Sequence, residues 1–183
     1  MRIVSLVAKF MVLAYCLFLL VFLLTEFTPE DPAYRPPFGI VVLDMINLFI
    51  HEAGHFFFGL FGRWLMILGG SLVQILLPLL LLVVTARQTV SQSAWPAFWL
   101  GESMVNVSAY VRDAPHMQLR LIARGLTHDW NYLLSGHLEL AEPLADTLFA
   151  LGLLTCALAI SAGVYFAVRV FRESTEPAAP PLP

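Results

Sequence analysis

The chain has 183 residues, of which 59% are hydrophobic and only 13% charged, and its mean hydropathy of +0.79 lies outside the range of soluble domains. It reads as all-α, a polytopic transmembrane helical bundle of about five spans in contact with the lipid bilayer, with no room for a separate soluble domain. A formal net charge of −3 supplies no basic surface, which excludes nucleic acid as a partner. Nothing in the composition sets an oligomeric state.

Residues 1–24 hold a long apolar run behind Arg2, broken only by Ser5 and Lys9, which fits a first transmembrane helix or a signal anchor. Residues 25–37 are acidic and proline-rich, with Glu26, Glu30, Asp31 and the Pro36-Pro37 pair, and predict a polar surface loop. A membrane-embedded core is expected over residues 38–171. Its first span, over about residues 38–61, places Asp44, Asn47, His51 and His55 at steps of three, four and four. That spacing puts all four on one helical stripe. Polar groups at membrane depth are costly and turn toward a bundle interior or a water-filled cavity, so the stripe marks a shared interior site.

Within that stripe His51, Glu52 and His55 form an H-E-x-x-H pattern. Histidines at i and i+4 project from one helical face and can bind one Zn2+, with Glu52 beside them as general base. Asn47, one turn earlier, is placed to orient a ligand or to bind a substrate backbone.

The next span, over residues 65–86, contains Gly69, Gly70 and Ser71, small residues that let helices approach closely, and Gln74, which can hydrogen-bond inside the bundle. A less apolar span over residues 93–111 collects Trp95, Trp99, Glu102, Asn106, Tyr110 and Asp113 on one stripe. The two tryptophans fit an interfacial belt. Glu102 and Asn106 lie deeper and are expected to face the same cavity as the histidines, supporting the ligands or touching substrate. Residues 112–144 mix charged and apolar positions and suit the membrane surface. There Gly125 breaks a segment, Thr127 can cap a new helix, and Asp129 suits its first turn. A last span over residues 145–171 leads to a proline-rich tail, 172–183, expected to be disordered. The distribution of Lys and Arg favours a cytoplasmic N-terminus by a modest excess. Cys16 and Cys156 lie in apolar runs without C-x-x-C spacing and read as small packing residues.

HEAGH inside an apolar span, followed by the Gly-Gly-Ser-x-x-Gln helix, resembles the site-2 protease family of intramembrane zinc metalloproteases. The resemblance covers residues 43–132. It implies a zinc-dependent endopeptidase that hydrolyses peptide bonds of a transmembrane protein substrate. It departs from the family pattern at Ser71, where proline is usual, at Gln74, where asparagine is usual, and in lacking the Asp-Gly pair. The family takes a third zinc ligand from a later segment, and Asp129 of the His-Asp-Trp sequence is the matching carboxylate, with Glu102, Asp113 and His128 as alternatives. Two other classes stay open on sequence alone: an inactive membrane scaffold or subunit that keeps the fold, and a metal or proton permeation protein.

Overall fold

The computed structural model describes residues 2–119 and 127–175. Among these the chain is helical without strands: α1 (Arg2–Thr25), α2 (Phe38–Phe58), α3 (Arg63–Gln88), α4 (Ala94–Arg112), α5 (Asp129–Leu133) and α6 (Ala141–Thr175). Four segments are long and apolar enough to cross a membrane, those of α1, α2, α3 and α6, which makes this a multi-pass membrane protein. The expected span at α4 forms a helix of 19 residues but is too polar to count among the four. It lies inside the bundle, and that explains its composition.

The boundaries follow from local chemistry. α2 starts directly after Pro36-Pro37, with Pro37 extended at φ −57° and ψ 153°, because proline fixes φ and disfavours helix in the residue before it. The helix ends in a single 3-10 turn, Gly59–Phe61. Gly62 then takes φ +93°, a backbone conformation that side chains resist, and reverses the chain into α3. Pro143 sits in the first turn of α6, where a missing N–H costs nothing. That helix starts a few residues earlier and ends later than the sequence pattern suggests, so the residues at the start of the expected tail are helical. The rest of the tail, and Gly125, lie outside the described residues.

The helices form a closed bundle: α1 lies on α6, α6 on α4, α4 on α3 and α3 on α2, and α2 in turn meets α4 and α1. Cys16, Leu19 and Leu23 of α1 join Ile40 and Leu43 of α2, Phe98 and Val105 of α4, and Cys156 and Ala159 of α6 in one buried cluster. Thus α1 is packed into the core, and the Tyr15 hydroxyl accepts a hydrogen bond from the Gly39 amide of α2 at 3.0 Å. Both cysteines are buried and free. Outside this cluster the bundle exposes a shell of large apolar side chains, including Phe18, Phe49, Phe56, Leu80 and Leu154, a surface suited to lipid.

Small residues bring the backbones together, as membrane packing requires. A Cβ on Gly54 of α2 would overlap the Gly69 carbonyl oxygen of α3, and a Cβ on Gly101 of α4 would stand 2.6 Å from the Gly152 carbonyl oxygen of α6. The first of these contacts presses the histidine face of α2 against α3. The expected packing of the Gly69-Gly70-Ser71 segment on the histidine helix is therefore present.

Candidate metal centre

Three side chains converge at one point. The Nε2 atoms of His51 and His55 lie 2.8 and 3.2 Å from a single oxygen, Oδ2, of Asp129. The ligand atoms of the three lie within 4.8 Å of one another. A tetrahedral zinc with Zn–N bonds of about 2.0 Å needs its ligand atoms about 3.3 Å apart, close to both measured separations. His51, His55 and Asp129 are half-buried, with side chains 15%, 21% and 18% exposed, so water can reach them.

The imidazoles are fixed from behind. His51 Nδ1 is 3.1 Å from Gln74 Oε1 and His55 Nδ1 is 2.8 Å from the Met66 carbonyl oxygen. Both oxygens accept, so both Nδ1 atoms carry hydrogen, which leaves each Nε2 to face the shared centre, where it donates to Asp129 Oδ2 and would serve as a ligand were an ion held there. Gly70 of α3 lies directly beneath the rings: a Cβ there would stand 2.6 Å from His51 Nε2 and 2.7 Å from His55 Cε1. Two imidazole nitrogens and one carboxylate oxygen can hold a metal ion, and they are donor types that zinc accepts. The residues present fit the ion.

Asp129 reaches this centre from α5, which is held by contacts of its own. Trp130 Nε1 donates to Ser71 Oγ of α3 at 3.0 Å, and Asn131 Nδ2 donates to the Ala114 carbonyl at 2.8 Å. The Arg63 guanidinium lies 5.0 Å over the Tyr132 ring. The residue preceding the helix is His128, which makes no side-chain cap, so the cap expected from Thr127 is replaced by these tertiary contacts. Burial pushes the Asp129 carboxyl up, and hydrogen bonds from His51 and His55 more than offset it, leaving the carboxyl below the ordinary aspartate value.

The other candidates for third ligand lie elsewhere. Asp113 accepts the backbone N–H groups of Gln118 and Leu119 at 2.8 and 2.9 Å. His128 Nδ1 stands 4.0 Å from Asp113 rather than at the centre. Glu102 is buried and accepts from Asn47 Nδ2 at 2.8 Å. No hydrogen bond or ion pair among the described residues holds the Glu52 carboxylate, which lies in the vicinity of His55 and Tyr110.

The two polar stripes face each other but close on themselves instead of lining open space. Asn106 Nδ2 donates to Asp44 Oδ1 at 2.7 Å, Gln74 Nε2 to Asn106 Oδ1 at 2.8 Å, and Trp99 Nε1 to Asn47 Oδ1 at 2.8 Å. Asn47 also accepts from Ser103 Oγ at 3.2 Å, so it serves this network and touches neither ligand nor open space. Trp99 belongs to the same interior network, whereas Trp95 stays exposed. Tyr110 stacks on His51 with ring centroids 6.4 Å apart. The Tyr34 hydroxyl is buried and has no hydrogen-bond partner among the described residues; burial foremost, with Asp44, Glu102 and Glu30 nearby, pushes its pKa up. The groups that hydrogen-bond the Nδ1 atoms of the histidines are Gln74 and the Met66 carbonyl. No side-chain pattern could announce the second, and Gln74 carries no signal beyond being a polar residue in an apolar span. Comparison of the chain with protein-family models, with curated proteins and with solved structures found no match.

Proposed function

We propose that this protein is an intramembrane zinc-dependent endopeptidase, of the kind typified by the site-2 proteases, acting on transmembrane protein substrates. One observation carries the reading: His51 and His55 of a membrane-spanning helix meet the carboxylate of Asp129, more than seventy residues further along the chain, at zinc-ligand spacing. Structural carboxylate–histidine pairs are common, but two histidines whose Nε2 atoms converge on one carboxylate oxygen while their Nδ1 atoms are tied to acceptors have the arrangement of a ligand set.

A zinc ion held there supplies Lewis acidity, which polarises a carbonyl and makes water nucleophilic near neutral pH. The chain's own residues do the rest. His51, His55 and Asp129 orient the centre. Glu52 takes a proton from the attacking water as its oxygen bonds to the carbonyl carbon; when the C–N bond breaks, Glu52 returns the proton to the leaving nitrogen. The substrate helix must unwind locally, because an intact helix keeps its carbonyls in internal hydrogen bonds.

The test is paired. Purified wild-type protein is assayed for bound zinc, and wild type and Glu52→Ala are compared for cleavage of candidate membrane substrates. One zinc per chain with cleavage lost in Glu52→Ala supports the reading. Zinc bound without Glu52-dependent cleavage refutes the peptidase; absence of zinc after reconstitution favours the inactive scaffold.

A further inference from the structure

The hydrogen bonds behind His51 form a chain with a direction. His51 Nδ1 faces Gln74 Oε1, Gln74 Nε2 faces Asn106 Oδ1, and Asn106 Nδ2 faces Asp44 Oδ1, at 3.1, 2.8 and 2.7 Å. Each amide has one end that donates and one that accepts, and which end faces which neighbour is set by the chain's fixed terminus. Here the terminus is the Asp44 oxygen, which can only accept from Asn106. Glu102 lies close to that carboxyl. Facing the Asn106 amide nitrogen at 2.7 Å, Oδ1 serves as an acceptor. Asp44 thus obliges Asn106 to turn its NH2 toward it. Asn106 then presents oxygen to Gln74, Gln74 presents oxygen to His51, and His51 must carry its hydrogen on Nδ1. Gln74 is buried, so water cannot reset the amide from outside.

We infer that Asp44 is a positioning residue for the metal ligand His51, acting through Asn106 and Gln74 to hold the Nε2 lone pair toward the metal. The inference rests on the metal-centre reading above. Without the acceptor at position 44, both amides can turn over together. Gln74 then offers NH2 to His51, and the imidazole must move its hydrogen to Nε2, the ligating atom, or lose its support.

The test is zinc affinity of the detergent-solubilised full-length protein, measured by competition with a chromophoric chelator, which needs no substrate. Asp44→Leu lowers affinity about tenfold, the lower end for lost support behind a ligating histidine. Asp44→Asn stays near wild type, because its carbonyl can accept from Asn106 while its NH2 serves Glu102. Adding Asn106→Asp to Asp44→Leu restores binding, since the new carboxylate accepts from Gln74 and fixes the direction one residue nearer the metal. A merely structural role for Asp44 would not be rescued from position 106. If Asp44→Leu does not fold, Asn106→Val removes the relay while leaving the Asp44–Glu102 pair intact, and Gln74→Glu in that background restores an acceptor for His51. Wild-type affinity in both Asp44→Leu and Asn106→Val, or loss without rescue, overturns the inference. Failure of wild type to bind zinc overturns the metal centre itself, a distinguishable result.

Discussion

Replacing Gly70 with alanine places one methyl group between the two ligating histidines. The new Cβ would stand 2.6 Å from His51 Nε2 and 2.7 Å from His55 Cε1, whereas ordinary contact begins at 3.4 Å. The His51 ring must therefore retreat by about 0.8 Å, beyond the displacement of about 0.5 Å that a metal constellation tolerates. It cannot retreat freely, because Nδ1 is tied to Gln74 on α3, the helix that carries residue 70. Displaced or untethered ligands cost about 10–100-fold in metal affinity, equivalent to about 1.4–2.8 kcal/mol. Chelator competition on wild type and Gly70→Ala reads this directly, with the helical circular dichroism of both as the control for folding. Gly54→Ala is the contrasting variant, since its Cβ overlaps the Gly69 backbone oxygen and is expected to part α2 from α3 and lower the unfolding midpoint. A Gly70→Ala protein that binds zinc as tightly as wild type would show that the rings do not meet over residue 70, and would refute the geometry of the centre.

Asp129→Asn is expected to abolish stoichiometric zinc, read by metal analysis after gel filtration, whereas Asp113→Asn retains it because Asp113 holds the backbone N–H groups of Gln118 and Leu119 and faces His128, away from the centre. In Trp130→Phe the bond to Ser71 is lost at a cost of about 1 kcal/mol, so zinc binding should weaken about fivefold by the same competition assay; an unchanged affinity would mean that α5 is placed by other contacts. Gly101→Ala presses a methyl group against Cys156 Sγ and the Gly152 carbonyl oxygen, each at 2.6 Å, and overpacking of this kind costs about 1–3 kcal/mol. Its thermal midpoint should fall while the zinc stoichiometry of the folded protein stays intact. Removing zinc should raise hydrogen exchange in residues 127–134 and leave α4 and α6 unchanged; uniform protection before and after removal would argue that Asp129 is not a ligand.

The helical bundle was legible because apolar runs of membrane length are a strong signal, and the ends of α2 and α3 because proline and glycine mark them. The facing of the two polar stripes was legible for the same reason that made them stripes: residues such as Asp44, Asn47, Glu102 and Asn106 have no stable alternative in lipid. What those stripes do was not legible. Periodicity shows which face a residue occupies but not whether its partner is water, a ligand or another amide, so Asn47 reads as a ligand-orienting or substrate-binding group and Trp99 as an interfacial one until their mutual bond at 2.8 Å is seen. Gln74 was equally hidden, since an isolated glutamine in an apolar helix has the same pattern whether it tethers two helices or supports a metal ligand.

Asp129 stands apart from both cases, because its place depends on contacts that no local pattern encodes. A helix of five residues, Asp129–Leu133, is far below the length of about 12–15 residues at which a helix holds itself together in water. Its position must come from the groups it touches: Ser71 on α3, the Ala114 carbonyl just beyond α4, and Arg63 at the start of α3. Two of these three lie on α3, the same helix that supplies Gln74 and the Met66 carbonyl behind the histidines and Gly70 beneath them. The candidate ligands come from α2 and α5, and α3 packs against both. A change on α3 that shifts either group should therefore alter metal binding without touching any ligand, which is why Gly70 and Ser71 bear on the chemistry as directly as residues that would contact the ion.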